Sequence, residues 1–461
     1  METKSFPYEV IYFLGIGGIG MSALARYFHK NNYIVMGYDK TPTGLTTALE
    51  LEGIVVHFDD TVMAIPQLLH STPKEKILIV RTPAVPKDSK QFEYFQREEY
   101  TILKRSEVLG LITEMSKTIA VGGTHGKTTT STLVAHLFNE QTGCNAFLGG
   151  ISSNFHSNLL LSDSDWTVVE ADEFDRSFLT LSPAISVLTS MDADHLDIYG
   201  DEAHIREGFL LFLDRTVPSG HVVVKRELAI HDELKRGGKS VYTYSILGEA
   251  DFEGRNIRVE NGAYVYDVHT PFGDLTKVQL GLPGRHNVEN AIAAIASVLL
   301  AGLELGKLAE ALHSFRGVQR RFDVRFKSES QVYIDDYAHH PTELHSCFAS
   351  ARELYPGKKI TAIFQPHLFS RTRDFAEGFA ASLSEVDELI LLPIYPAREL
   401  PIPGIDSQWL FDKIQLSNKH LVNKEAIFTF LNRDAIEVLI TVGAGDIDTL
   451  VSPIQQWFQD K

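Results

Sequence analysis

The residues with the clearest chemical capacity are Gly122, Gly123, Thr124, His125, Gly126, Lys127, Thr128 and Thr129, which follow the apolar run Thr118-Ile119-Ala120-Val121. A lysine and hydroxyls behind closely spaced glycines suit a polyphosphate. Backbone N–H groups cradle the oxygens, Lys127 neutralises the outer phosphates, and Thr128 or Thr129 reaches a divalent cation. The spacing departs from G-x-x-x-x-G-K-[ST], because Val121 stands where the first glycine belongs. A chance Gly-Lys-Thr at a helix start is the competing reading, and the strand before it and helix after it weaken that reading.

A second loop, Gly15-Ile16-Gly17-Gly18-Ile19-Gly20, fits G-x-G-x-x-G, and Asp39 follows 19 residues after Gly20. Glycines there permit a tight turn and close approach of a pyrophosphate to a helix N-terminus, while the acid can contact a ribose. Alone, this pattern reads as NAD binding, as binding of another nucleotide diphosphate, or as a turn needed only for packing. Carboxylates gather at two further places, Glu170-Ala171-Asp172-Glu173 and Asp192-Ala193-Asp194-His195. Each cluster follows an apolar run, at the end of a strand where parallel sheets place ligands, and oxygen donors suit Mg²⁺. A dehydrogenase does not require Lys127, and a simple ATPase does not require the first loop. An enzyme that uses ATP on a nucleotide-bearing substrate requires both.

These loops need strands and helices to hold them. Val10–Leu14 leads into the first loop, and a helix is expected from Met21 to His29. Further strands are expected at 33–36 and 76–80. Thr118–Val121 leads into the second loop, with a helix expected from Ser131 to Phe138 and strands at 166–169 and 185–188. Between about 220 and 280 the strands become short and polar-interrupted, with turn signals at Asn261-Gly262 and Phe272-Gly273, so an antiparallel excursion is expected there before a helix at 288–300. Strands at 332–334, 360–364, 388–392 and 438–442 form a third group, the last ending in Gly443-Ala444-Gly445-Asp446, a turn suited to phosphate or to tight packing. Apolar runs alternating with helical patterns indicate an α/β fold with parallel sheets.

The chain has 461 residues, 44% hydrophobic and 22% charged, which suits a folded protein of several domains. Boundaries are expected near 107 and 320. A formal charge of -17 excludes a nucleic-acid partner in the absence of any dense basic run. There is no run long enough for a membrane span and no signal-like N-terminus. Two distant cysteines, Cys144 and Cys347, allow one disulfide but no framework or zinc cluster. A soluble cytoplasmic protein is expected.

Taken in order, GIGGIGMSALA (15–25), GGTHGKTTT (122–130), EADEFDRSFL (170–179), MDADHLDIYG (191–200), GRHNVENA (284–291), RRFD (320–323), DDYAHHPTE (335–343), FQPHLFSRTRD (364–374) and VGAGDI (442–447) resemble the Mur ligase family. The family's shortened G-T-x-G-K-T loop accounts for the odd spacing. Within the family the chain is most similar to the alanine-adding branch.

The resemblance implies three α/β domains: a Rossmann-like UDP-sugar domain (1–107), a central ATPase with a parallel sheet and a small antiparallel one (108–319), and a Rossmann-like C-terminal domain (320–461). It implies UDP-N-acetylmuramate and L-alanine as substrates, with ATP and Mg²⁺. Gly15, Gly17, Gly18, Gly20 and Asp39 would hold the UDP moiety, and Gly122 to Thr129 the ATP phosphates, with Lys127 on the γ-phosphate. Thr128, Thr129, Glu173 and His195 would form the metal site. His286, Asn287 and Asn290 would border the nucleotide. Arg321 and Asp336 would reach ATP, and Tyr337 would flank the base. His339, His367 and Arg371 would act near the reacting carboxylate and the amino acid. Arg320 reads equally as a surface charge or a ligand. Leu368 and Ala338 depart from the family pattern, which expects a basic residue and a glycine. The lysine that later-acting family members carry in a carbamylated form has no counterpart in 202–214. Rival functions are a murein-peptide recycling ligase on the same UDP-sugar, an NAD-dependent oxidoreductase, and a non-catalytic UDP-sugar sensor.

Overall fold

The structure, a computed structural model, describes residues 6–86, 88–192, 199, 201–397 and 399–460. By contact density the chain forms two compact units. One comprises Met1–Glu253, His269–Asp274 and Asn290–Ala311, and the other Gly254–Val268, Leu275–Glu289 and Leu312–Lys461.

The first unit holds two sheets. In the N-terminal sheet five parallel strands stand in the order Val55–His57, Ile34–Tyr38, Val10–Leu14, Ile77–Arg81, Thr101–Lys104. Val10–Leu14 is central and wholly buried. The strand order reverses beside it, which places the first glycine loop at the switch point where such sheets bind ligands. In the second sheet Lys117–Gly122 lies between Trp166–Glu170 and Ile185–Leu188, all parallel. The phosphate-type loop, the Glu170–Glu173 cluster and Asp192 therefore follow neighbouring strand ends. One buried apolar cluster runs through both sheets, from Ile11 and Phe28 to Phe147, Phe178 and Phe212. Tyr27 meets Phe147 at 5.4 Å between ring centroids. Arg26 donates to Asn158 at 3.0 Å, and Thr180 Oγ1 to the Ser106 carbonyl at 2.9 Å.

The expected antiparallel excursion begins later than the sequence suggested. His221–Lys225 and Ser240–Ser245 extend the second sheet in parallel, because the helix His231–Arg236 between them makes a crossover. Phe252–Glu260, Ala263–His269 and Leu275–Gln279 follow. The last two are antiparallel. Asn261 and Gly262 both take positive φ (53° and 75°), as a two-residue hairpin turn demands.

In the second unit, strands run in the order Asp323–Lys327, Val332–Asp336, Val438–Val442, Ile360–Phe364, Glu388–Leu391, Lys419–Leu421, all parallel except the first. Asp336, Val442 and Phe364 are in register, so Tyr337, Gly443 and Gln365 emerge on one sheet edge. Gly443 and Gly445 serve packing: added Cβ atoms would stand 2.7 Å from the Gln365 carbonyl oxygen and 2.4 Å from its Oε1.

Helices reach beyond their expected bounds, to Ile19–Lys30, Lys127–Asn139 and Arg285–Leu300. Threonines 128–130 read as loop by propensity, but all three are buried in the first helical turn, where tertiary packing overrides it. Both cysteines are free and buried. Among the described residues no helix is long and apolar enough to cross a membrane.

Candidate active site

The loop after Lys117–Gly122 is tightly confined. Gly122 has no room for a side chain: a Cβ would stand 2.9 Å from the Phe212 ring. Gly123 (φ 132°) passes so close to Thr189 that a Cβ would meet Oγ1 at 2.2 Å, and Gly126 (φ 82°) faces Asn290 Oδ1 at 2.6 Å in the same sense. Only glycine accepts both the backbone angles and the clearances. Hydroxyls from the neighbouring strand end pin the loop. The His125 N–H donates to Ser190 Oγ at 2.7 Å, and the Thr189 hydroxyl donates to the His125 carbonyl. Thr124 Oγ1 donates to the Asp192 carbonyl at 2.8 Å.

Gly126 caps the helix that starts at Lys127, so the helix N-terminus and the lysine face the same loop. Lys127 Nζ donates to the Gly123 carbonyl at 2.6 Å and to Glu173 Oε1 at 2.9 Å. Burial alone would depress this ammonium, but the Glu173, Asp172 and Glu170 carboxylates outweigh it and hold the lysine above its ordinary value. Glu173 is pushed up to about 7, foremost by burial, with Lys127 opposing and Asp172 adding to the rise.

Glu170, the last residue of its strand, acts on Lys127 alongside Glu173 and is not singled out by the sequence of this cluster. Its carboxylate packs against Gly149, and its Oε2 is buried with no hydrogen-bond partner among the described residues. The signal was its place at the strand end beside the loop. His195 lies outside the described residues. Among those described, no group of three His, Cys, Asp or Glu side chains is poised to hold a metal.

At the N-terminal sheet the first glycine loop is built as its spacing suggests, with Gly15 at φ 83° and Gly18 capping the helix that contains Gly20. Asp39 braces this loop. Its Oδ2 accepts the Gly17 N–H at 2.7 Å, and its Oδ1 the Thr41 N–H at 3.2 Å.

In the second unit the run Tyr337-Ala338-His339-His340 follows the end of the strand Val332–Asp336. Asp336 accepts the N–H groups of Phe322 and Ala338, both at 2.7 Å, which staples the Arg320–Phe322 turn to the strand end. Burial dominates and pushes its carboxyl up to about 7, against the pull of Arg321 and those two N–H groups. Arg321 stacks over Tyr337, 5.0 Å to the ring centroid, and lies 3.9 Å from Glu343. Arg320 is not a free surface charge. It pairs with buried Asp335 at 3.1 Å and donates to the Gly443 carbonyl at 2.7 Å.

The His339 N–H donates to Glu343 at 2.9 Å, and its Nδ1 lies 3.0 Å from the Tyr337 carbonyl. His367 is edge-on to His339 at 6.2 Å and stacks on Tyr395. Arg371 is buried in the following helix. Half-buried His286 touches Ser350 Oγ at 3.4 Å and is pushed down to about 4, mainly by desolvation. Asn287 donates to the Pro283 carbonyl at 2.6 Å, so one of its amide hydrogens holds its own helix start. The structure thus assembles the lysine loop with Asn290, Glu170 and Glu173 in one unit, and Arg321, Asp336, Tyr337, His339 and His367 in the other.

Three family models match nearly the whole chain: Mur ligase family, catalytic domain (residues 10–117), Mur ligase middle domain (121–298), and Mur ligase, glutamate ligase domain (320–452). The UDP-N-acetylmuramate–L-alanine ligase of Christiangramia forsetii is 49% identical over 447 residues, 96% of each chain. That of Porphyromonas gingivalis is 49% identical over 97% of this chain and 99% of its own. Among solved structures, the UDP-N-acetylmuramate–alanine ligase of Thermotoga maritima superposes with a TM-score of 0.80 at 28% identity, covering 97% of this chain and 99% of that one. A lysine loop, a second glycine loop at a sheet switch point and a third α/β sheet, matched over their full span, lead to one conclusion: this chain belongs to the Mur ligase family.

Proposed function

We propose that the chain joins L-alanine to the lactyl carboxylate of UDP-N-acetylmuramate with cleavage of ATP to ADP and phosphate, a step in peptidoglycan precursor synthesis. The observation that carries the chemistry is Lys127, held charged at a helix N-terminus inside a loop only glycines can form. The names of relatives about half identical over the whole chain support the substrates.

A carboxylate does not react with an amine, because the leaving group would be oxide. In the proposed sequence the lactyl carboxylate attacks the γ-phosphorus of ATP, the β–γ bond breaks, and an acyl phosphate forms. The neutral amine of alanine then adds to the acyl carbon, and the tetrahedral intermediate expels phosphate. Gly122 to Thr129 would enclose the phosphates, and Lys127 would exchange the Gly123 carbonyl and Glu173 for γ-phosphate oxygens. A fixed cation in a confined site stabilises the charge that moves onto those oxygens.

The oxygen donors Thr128, Thr129, Glu170 and Glu173 would suit Mg²⁺ by their chemistry, and the buried Glu170 Oε2 has no hydrogen-bond partner among the described residues. Bound there with His195, that ion would supply further positive charge beside the phosphates. Asn290 would border the nucleotide next to Gly126, together with His286 and Asn287. Arg321, Asp336 and Tyr337 would serve ATP, and His339, His367 and Arg371 the carboxylate and the amino acid. Cytoplasmic placement follows from these substrates.

Phosphate release should require ATP, UDP-N-acetylmuramate and L-alanine together. Release with a preformed tripeptide in place of alanine, at equal or greater kcat/KM, would transfer the assignment to a recycling ligase.

A further inference from the structure

We propose that Arg105 is the cation that binds the diphosphate of the nucleotide-linked sugar, and that it ties this site to the acidic strand end of the ATP-binding sheet. This rests on the reading of the first glycine loop given above. Arg105 opens the helix Arg105–Glu114, after the edge strand Thr101–Lys104 of the N-terminal sheet. Its side chain crosses to the first turn of the Ile19–Lys30 helix. A Cβ on Gly20 would stand 2.6 Å from Nη1, 3.0 Å from Cδ and 3.3 Å from Cζ, so the guanidinium lies against backbone in the space that glycine leaves. On its far side Nη2 is 3.8 Å from Asp172 Oδ2, close enough for Coulombic attraction and too long for a hydrogen bond.

The electrostatics of this position call for an anion. Arg105 stands at the first position of one helix and against the first turn of another, and both helix ends carry partial positive charge. The Ile19–Lys30 helix has no acidic residue in its first turn and no side-chain cap. The acid nearest the glycine loop, Asp39, accepts the Gly17 N–H, and Glu107 accepts the Lys104 N–H at 2.6 Å. A diphosphate on the loop would satisfy the helix N–H groups and the guanidinium at once. Arginine suits the place better than lysine, because one edge of its planar fork can serve a phosphate while the other stays toward Asp172. Asp172 lies between Glu170 and Glu173, the carboxylates beside Lys127. The side chain is one-quarter exposed (25%), so a ligand can reach it.

The test is equilibrium binding of UDP, UMP and uridine to the full chain without ATP, for the wild type, Arg105→Gln, Arg105→Lys and Gly20→Ala. Arg105→Gln should weaken UDP on the order of ten- to a hundredfold, and uridine less than about twofold. Gly20→Ala, which displaces the guanidinium, should weaken UDP in the same selective way. Arg105→Lys keeps the charge but loses the fork and should fall between. It also gives the answer if Arg105→Gln melts well below the wild type. UDP affinity unchanged in both Arg105 variants, or an equal loss for UDP and uridine, would overturn the proposal. A wild type that does not prefer UDP to uridine would overturn the reading of the loop itself, an outcome visible before any variant is made.

Discussion

Nζ of Lys127 lies 2.9 Å from Oε1 of Glu173 while also donating to the carbonyl oxygens of Gly123 and Thr124 at 2.6 and 3.3 Å. Glu173 is buried and Lys127 largely covered, 5% and 13% exposed, so removing one partner strands the other. Lys127→Met should cost about 2–4 kcal/mol of stability, by leaving a buried carboxylate beside two carbonyls. Lys127→Met with Glu173→Gln should recover at least half of that loss, and neither variant should turn over. Denaturant unfolding measures the cycle. Strictly additive losses would mean that the pair does not interact.

Asp39 holds the first glycine loop through the Gly17 N–H at 2.7 Å. Asparagine keeps an acceptor there and alanine does not. Asp39→Ala should raise KM for the UDP-sugar about tenfold, whereas Asp39→Asn should stay within about threefold, as expected for one hydrogen bond. Equal defects in both variants, read from initial rates at saturating ATP, would point to a role for the charge itself.

Much of this architecture is legible in the residues. The strand–glycine–helix units at 10–30 and 117–139 show because their apolar runs and glycines sit at the period and spacing that the geometry requires. The strands His221–Lys225 and Ser240–Ser245 are parallel where the sequence suggests antiparallel pairing, because polar residues on short strands look the same in parallel and antiparallel sheets. What decides the matter is the intervening helix. Arg320 was equally opaque: its partner Asp335 is 15 residues away, and nothing in the run RRFD separates it from Arg321. Arg105 carries no motif at all, and its places against Gly20 and near Asp172 are what mark it.

Leu368 occupies φ 69°, ψ 135° at the N-terminus of the helix that carries Arg371, a region L-residues avoid. Its N–H donates to the Tyr395 carbonyl at 3.0 Å, which holds the strained turn beside His367. Glycine is ordinarily less stabilising than alanine by about 0.5–1 kcal/mol. At position 368 the order should reverse by about 1 kcal/mol, because only glycine takes this conformation without strain. Thermal unfolding of Leu368→Gly and Leu368→Ala decides the point, and the ordinary order would contradict it.

His286 is held below its ordinary value, at about 4, by desolvation foremost, with Arg321 adding and Glu343 opposing. Between about pH 4 and 6.5 the unfolded chain therefore binds more protons than the folded one. This contribution to stability is complete above pH 6.5 and is lost as pH falls through that window. His286→Gln should reduce the acid-induced loss by about 1–3 kcal/mol at pH 4. Parallel melting curves for both proteins across that range would refute the assignment.

The most direct test is a rapid-quench measurement of ADP formed with ATP and UDP-N-acetylmuramate, with and without L-alanine, for the wild type and Lys127→Met. The wild type should form ADP stoichiometrically in one turnover without alanine and catalytically with it. Lys127→Met should be slower by at least about a thousandfold in both, as expected when a principal charge-stabilising group is removed. A Lys127→Met enzyme that forms ADP at near the wild-type rate would contradict the account.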